Sequence, residues 1–254
     1  MFSYRAVYVI VLREFKRFFR QRGRLLTTLA RPLLWLLILG PGFAQIVQTR
    51  PGVDYIQFIL PGIVGMTILF SSIFSTMSVV WDREFGFMRE MLVSPVSRVT
   101  IVLGKLMGGT TLSVFQGTAL LAVAPFLGIR FGVGDFVVMV LLIFMVSLAI
   151  TSMGLLIAAH LSSLEGFNVI MNFIVLPMFF LSGALYPVDA LPWGLRYLSM
   201  INPLSYGIDS FKHVLLPPDT MLGAEFSLPL DIFVVSTFSV IMTLLAARAF
   251  ERRD

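Results

Sequence analysis

The sequence has no cysteine and few charged residues. Without cysteine there are no disulfide bonds, thiolate metal sites or cysteine nucleophiles. Charged residues make up 13% of the chain and hydrophobic residues 57%, whereas an ordinary soluble domain is about 25% charged. So little polar surface cannot cover a water-soluble globule. The composition therefore excludes a soluble domain and predicts an integral membrane protein.

Motifs of the common ATPases and hydrolases are also absent. The nearest fragment to a phosphate loop, Gly104-Lys105, is followed by Leu106, where the loop needs a hydroxyl to hold magnesium. Neither H-E-x-x-H nor G-x-S-x-G occurs, and the two histidines, His160 and His213, are predicted on opposite sides of the membrane. We therefore expect no enzymatic activity and no bound cofactor or metal in this chain.

Long apolar runs are what the sequence has instead. Each of six runs is long enough to cross the hydrocarbon core of a bilayer as a helix. They are Thr27–Val47, Ile56–Val80, Ile101–Leu127, Phe136–Ala159, Phe167–Tyr186 and Ile232–Ala247. The predicted fold is all-α, with the whole chain, 1–254, as one polytopic membrane domain of six transmembrane helices.

The basic residues predict the orientation of these spans. Fifteen of the 19 Lys and Arg residues lie in three places: the N-terminal segment, the connection after span two and the C-terminus. Lys105 is counted with the connection. The other four are Arg50, Arg130, Arg196 and Lys212. Because cytoplasmic loops carry the excess of positive charge, both termini are expected in the cytoplasm. The net charge of +5 is expected to meet anionic lipid, not nucleic acid.

Two segments outside the spans are amphipathic. Residues 1–25 combine apolar side chains on one helical face with seven basic residues, which predicts an interfacial helix at the membrane surface. Residues 187–229 are external yet rich in large apolar side chains. They are expected to form short re-entrant helices between spans five and six, with Trp193 and Tyr197 at the interface.

The polar residues predicted inside the spans are neutral. No span core is expected to hold a charged residue, which argues against ion-coupled transport, and Glu165 and Asp231 are expected to be solvated at span ends. Most Ser, Thr and small residues in the spans are expected to serve helix packing, including the pair Gly104 and Gly108. The candidates for a translocation path are Ser75, Gln116, Asn168 and Asn172.

The connection after span two, residues 81–100, mixes dense charge with large apolar groups. It is too charged to enter lipid and too apolar for a simple solvated loop. A short helix with this composition can dock into a groove of a partner protein. The residues assigned to docking are Asp82, Arg83, Glu84, Phe85, Gly86, Phe87, Met88, Arg89 and Glu90.

These motifs resemble the permease subunit of type-2 ATP-binding-cassette (ABC) exporters, a family that includes bacterial drug, polysaccharide and nodulation-factor export permeases. Asp82–Gly86, followed by Met91–Arg98, is similar to the family pattern E-R-E-x-G-T-x-E-x-L-x-x-[ST]-P-[VI]. Further matches are Pro177–Pro187, Leu191-Pro192 and Asn202-Pro203-Leu204. The chain departs from the pattern at Asp82, where the family often has Glu, and at Phe87-Met88, where it often has Thr-Leu.

The resemblance implies a permease in the bacterial inner membrane that pairs with a second permease copy and with two cytoplasmic ABC ATPase subunits. ATP and magnesium would bind to the ATPases, and residues 82–90 would transmit their motion to the membrane. The alternatives are an ion-coupled secondary transporter, a membrane enzyme and a membrane assembly scaffold. The only dense titratable group for an enzyme is Asp82, Arg83, Glu84 and Glu90.

Overall fold

The fold is known from a computed structural model. The described residues are 3–21, 23, 30, 32–38, 55–87, 93, 96–127, 129, 131–161, 163–216 and 223–253. All regular secondary structure in these ranges is helical, with no β-strand. The all-α prediction is therefore confirmed.

We number the helices in chain order. They are α1 (Tyr4–Arg20), α2 (Tyr55–Glu84), α3 (Arg98–Leu121), α4 (Val133–His160), α5 (Leu164–Phe180), α6 (Trp193–Ile201), α7 (Pro203–Leu215) and α8 (Leu228–Arg253). Two 3-10 helices cover Ala124–Leu127 and Val188–Ala190. Residues 32–38 are also helical.

Four of these helices, α2, α3, α4 and α8, are long and apolar enough to cross a membrane. They correspond to predicted spans two, three, four and six, which confirms a polytopic helical membrane protein. Span five corresponds to the shorter apolar helix α5. Most of span one, Thr27–Val47, lies outside the described residues, so the total of six spans stays a prediction.

Two helix ends differ from the predicted spans. Helix α3 ends at Leu121, and the predicted continuation to Leu127 is a 3-10 segment that contains Pro125. Helix α5 ends at Phe180, six residues before the predicted end, because the chain turns at Gly183, whose φ of 72° lies in the left-handed region. Within α5, Met171–Val175 forms a π-helical turn.

Helix α2 lies at the centre of the bundle. In its most apolar stretch 83% of the residues are buried inside the protein, whereas the corresponding value for α8 is 22%. Helices α3 and α4 pack against α2, and α7 packs against α2, α4 and α8. Short helices follow span five, as predicted: α7 is buried in the bundle, and Trp193 and Tyr197 of α6 are exposed. That these helices are re-entrant stays a prediction.

Helix α1 forms within the predicted N-terminal segment 1–25, and its position at the membrane surface stays a prediction. Its first turn is capped by the Ser3 hydroxyl, which accepts a hydrogen bond from the backbone N–H of Ala6. The helix lies along α3 at the predicted small-residue pair: a Cβ added at Gly104 would lie 2.8 Å from Ile10, and one added at Gly108 would lie 3.3 Å from Glu14. These glycines let the two helices approach closely.

The basic segments lie at one end of the bundle, which we call the basic end. There the backbone N–H of Ser3 lies 3.4 Å from the Thr100 hydroxyl, and the Arg98 guanidinium donates to the carbonyl of Glu251 at 2.7 Å. The start of α1, the start of α3 and the end of α8 therefore lie together. His160 ends α4 at this end, whereas His213 lies at the opposite, far end beside α8. That the basic end is cytoplasmic stays a prediction.

Candidate functional site

The candidate site lies at the basic end, where α2 extends beyond its predicted span end at Val80. The helix continues to Glu84 and stops because Gly86 adopts a φ of 81°, a conformation that favours glycine and commonly ends helices. The backbone N–H of Gly86 donates to the Arg83 carbonyl at 3.2 Å. This turn leaves Phe85 and Phe87 on the surface, with 61% and 55% of their areas exposed.

A buried ion cluster lies just inside this turn. The ammonium of Lys105, from α3, is 2.5 Å from Asp82 of α2 and 2.7 Å from Glu14 of α1, and it donates to the Ser78 hydroxyl at 3.2 Å. All three of its N–H donors are therefore used. Arg13 adds a second cation 2.9 Å from Asp82. The cluster connects α1, α2 and α3 through four charged side chains.

This cluster places a charged residue, Lys105, inside the predicted run Ile101–Leu127 of span three. Lys105 was predicted to lie with the basic residues of the connection, yet it belongs to the second turn of α3 and only 4% of its surface is exposed. Its burial is tolerated because two carboxylates neutralise it. The lysine inside an apolar run was the available signal, since an ionisable residue at such a position usually has a partner.

Arg83 connects α2 to the next helix of the bundle. Its Nη1 donates to the carbonyls of Ala158, Ala159 and Leu161, at 3.2, 3.1 and 2.9 Å. These carbonyls belong to the C-terminal end of α4, where helices leave acceptors without intrahelical partners. Arg83 therefore holds the end of α4 against the end of α2.

The structure thus divides the residues assigned to docking. Asp82 and Arg83 are bound to neighbouring helices, whereas Glu84, the last residue of α2, is exposed, as are Phe85 and Phe87 just after it. Gly86 forms the turn between the two phenylalanines. Met88, Arg89 and Glu90 lie outside the described residues. The docking role of the whole segment stays a prediction.

An open groove of about 690 Å³ lies between α1 and the end of α2. Its walls carry Arg13, Lys16, Arg17, Arg20, Gln21, Trp81, Asp82, Phe85 and Phe87. The guanidinium of Arg17 lies 5.6 Å from the centre of the Trp81 ring, within range of a cation–π contact. Four cations against one carboxylate make the groove positive. It suits a partner surface that carries both acidic and apolar groups.

The four translocation candidates fall into two pairs. Ser75 and Gln116 lie between α2 and α3, where the Gln116 amide is buried and donates to the Ser71 hydroxyl at 2.7 Å. Asn168 and Asn172 lie on the exposed side of α5, and the Asn172 amide donates to the carbonyl of Asn168 at 2.9 Å. The two pairs lie on different helices and share no hydrogen bond with each other. A translocation role for either pair stays a prediction.

A second buried cluster, at the far end, was not predicted. Asp209 and Lys212 of α7 are buried together with Asp231 of α8. The expectation of solvation at a span end is met by Glu165, which is exposed, but is wrong for Asp231, whose surface is 0% exposed. The sequence signal was weak because Asp209 and Lys212 lie in a segment predicted to be external, where charges are usually solvated.

Comparisons with known proteins find a matching family model and several similar transport permeases. The family model described as ABC-2 type transporter matches residues 5–216. The transport permease ycf38 of Cyanophora paradoxa is 30% identical over 215 residues, covering 83% of this chain and 74% of that protein. Nodulation protein J of Rhizobium meliloti is 31% identical over 194 residues, covering 76% and 74%. The inner membrane transport permease YadH of Escherichia coli is 26% identical over 215 residues, covering 84% and 79%.

Proposed function

Because the chain belongs to the ABC-2 type transporter family, we propose that this permease is the membrane subunit of an ATP-driven exporter and couples to a separate cytoplasmic ATPase. The observation that carries the proposal is the end of α2. Two exposed aromatic side chains, Phe85 and Phe87, follow a helix end that buried ion pairs and carbonyl bonds fix to three other helices.

This arrangement can transmit force from the basic end into the bundle. When a partner bound to Phe85 and Phe87 moves, the end of α2 moves with it. Asp82 then displaces Lys105 of α3 and Glu14 of α1, while Arg83 displaces the end of α4. Short, charge-assisted bonds resist independent movement of the helices, so the helix ends are expected to move as a unit.

The groove beside Phe85 gives the ATPase a second contact. Its cations and aromatic side chains match an acidic surface with an apolar centre, a combination that directs docking through charge and holds it through aromatic anchors. In the proposed complex, two ATPase copies bind to two permease copies. ATP and magnesium belong to the ATPases.

The exposed face of α5 supports a path shared with a second permease copy. Asn168 and Asn172 are exposed on a helix whose neighbouring side chains, including Phe173, are apolar. An amide facing lipid would lose hydrogen bonds to water at a substantial cost. Asn172 also lies in the π-helical turn, a feature common at functional sites. We therefore assign this face to the path between two copies.

The experiment is copurification of the permease from its native host in a mild detergent, followed by an ATPase assay. The test variant replaces Phe85 and Phe87 with alanine. The matched control is Phe126→Ala, because Phe126 is 88% exposed but follows α3 at the far end. We expect the ATPase to copurify with the wild type and the control and to be lost from the double variant. Equal recovery of the ATPase with both variants would reject the docking role.

An ion-coupled secondary transporter is the second candidate, favoured by the buried carboxylate of Asp231. It predicts flux in reconstituted vesicles that needs no ATPase and stops when the ion gradient is collapsed. A membrane scaffold predicts a bound partner with no flux at all. Vesicles that contain the permease with and without its copurified ATPase separate the three functions.

A further inference from the structure

Three carboxylates and one ammonium meet at the far end of the bundle. Asp209 and Lys212 lie on α7, Glu225 lies in the connection to α8, and Asp231 lies in the first turn of α8. All four side chains are mostly or fully buried. With every acid ionised, the cluster has two negative charges in excess. Such a charge is costly to bury without a further cation or bound protons.

Two of the carboxylates are already bound to the protein. Asp209 accepts hydrogen bonds from the backbone N–H groups of Glu225, at 2.8 Å, and Phe226, at 2.8 Å. Glu225 accepts a hydrogen bond from the N–H of Val188 at 2.5 Å. The Lys212 ammonium lies 3.8 Å from Asp209 and 3.7 Å from Glu225, so its charge serves this pair.

Asp231 differs from them. Its side chain is fully buried, and within the described residues no hydrogen-bond donor reaches either of its carboxylate oxygens. The imidazole Nε2 of His213 lies 3.6 Å from Asp231 Oδ2. A buried carboxylate that accepts no hydrogen bond calls for a further group at this position: a cation, a water molecule or a bound proton.

The neighbouring groups have the geometry of metal ligands. Asp209 and His213 are four residues apart on α7, so they lie on one face of that helix. One ligand atom from each of Asp209, His213 and Asp231 can be chosen so that all lie within 4.8 Å of one another. Ligand atoms about 2.1 Å from a tetrahedral zinc ion are about 3.4 Å apart. The ligand atoms would have to move closer by up to about 1.4 Å to bind zinc.

We propose that Asp209, His213 and Asp231 bind a divalent transition metal ion of the zinc class. Two carboxylates and one imidazole suit zinc, and the ion's two positive charges would balance the excess negative charge of the cluster. His213 Nε2 donates a hydrogen bond to the carbonyl of Phe226 at 2.9 Å, so the metal ion would replace the proton on this nitrogen. The imidazole is partly exposed, with 28% of its surface accessible, which gives the ion a route to the site.

The bound ion would fasten α7 to α8. Helix α7 packs between α2, α4 and α8 and lies beside the external connection. A link from α7 through the metal to the first turn of α8 would hold α7 in its position between the other helices. Metal binding is therefore expected to stabilise the far end of the permease, independently of any ATPase at the basic end.

The test uses purified full-length permease without a polyhistidine tag, treated with a chelator and then titrated with zinc chloride. Elemental analysis gives the metal content, and a thermal melt gives the stabilisation. The variants are His213→Ala and Asp231→Asn. The control is Asp189→Asn, which removes an exposed acid that pairs with Arg196 elsewhere in the same external segment. Magnesium chloride serves as the control ion.

We expect one zinc ion per chain, a higher melting temperature with zinc than with magnesium, and at least a tenfold weaker zinc affinity in both site variants. Asp189→Asn should bind zinc as the wild type does. His213→Ala keeps the test valid if Asp231→Asn fails to fold. The proposal is overturned if the wild type binds no stoichiometric zinc, or if the folded site variants bind as much as the control. A permease whose cluster is neutralised by protons alone would give the first of these results.

Discussion

Replacing Lys105 with methionine tests the idea that ion pairs hold α1, α2 and α3 together. Methionine keeps an unbranched apolar side chain but removes the ammonium that lies 2.5 Å from Asp82 and 2.7 Å from Glu14. At an effective dielectric constant of about 20, unit charges about 2.7 Å apart attract each other by about 6 kcal/mol, and desolvation of the ions offsets most of this.

Removing one partner costs more than the net value of the pair because the other charge stays buried. The usual cost is about 3–5 kcal/mol. Arg13 lies 2.9 Å from Asp82 and 3.6 Å from Glu14, so it continues to neutralise part of the remaining charge. We therefore expect Lys105→Met to lower the free energy of unfolding by about 3 kcal/mol, at the low end of this range.

The assay is unfolding in mixed micelles by titration with sodium dodecyl sulfate, followed by tryptophan fluorescence. Lys16→Met is the matched control, because Lys16 is exposed on α1 and its loss should change the free energy of unfolding by less than about 0.5 kcal/mol. Adding Glu14→Gln and Asp82→Asn to Lys105→Met should recover much of the loss, since no charge then remains buried in this trio. The reasoning is refuted if Lys105→Met behaves like Lys16→Met, or if the triple variant is no more stable than the single one.

Three further predictions concern other parts of the bundle. Gly104→Val should displace α1 from α3 and lower the free energy of unfolding by about 1–3 kcal/mol, because the new side chain meets Ile10. Adding Ile10→Ala should restore part of the stability in the same assay. An unchanged unfolding curve for Gly104→Val would contradict this packing. Arg83→Lys should cost about 1–2 kcal/mol because the lysine side chain is shorter and its ammonium does not reach the position from which Nη1 contacts three carbonyls. Its unfolding midpoint should lie clearly below that of Lys16→Met. The chain has no cysteine, so an introduced cysteine is the single site for a thiol reagent. If α5 lines a path, Asn172→Cys should react with a charged, membrane-impermeant thiol reagent, whereas Val240→Cys on the exposed side of α8 should not. Equal labelling of the two would remove Asn172 from the path.

Much of the architecture could be predicted because hydropathy acts locally. The apolar run Phe136–Ala159 is nearly the whole of α4, and the run Ile56–Val80 is most of α2. Apolar side chains in lipid favour a continuous helix, and α2 tolerates Pro61 and Gly62 within it. The ends were harder to predict, since α5 stops before Gly183 through a turn that hydropathy does not register.

The candidate site was predicted only in part because its ion pairs are nonlocal. Asp82 has the same local pattern as Glu84, yet the fold brings Asp82 to Lys105, 23 residues later, and to Arg13, 69 residues earlier. Glu84, by contrast, is exposed. Sequence pattern indicated a segment rich in charge and aromatic groups, but which charges turn inward depends on how α1 and α3 pack against α2.

The basic-end cluster also has a consequence for biosynthesis. A lysine near the centre of a helix opposes insertion by about 2.5–3.5 kcal/mol, and nearer an end by less. Glu14 and Asp82 both precede Lys105 in the chain, so both partners have left the ribosome before α3 reaches the membrane. Stable insertion of α3 is then expected to depend on residues made earlier. A ribosome-bound fragment that lacks α1 should integrate α3 less efficiently than one that carries it.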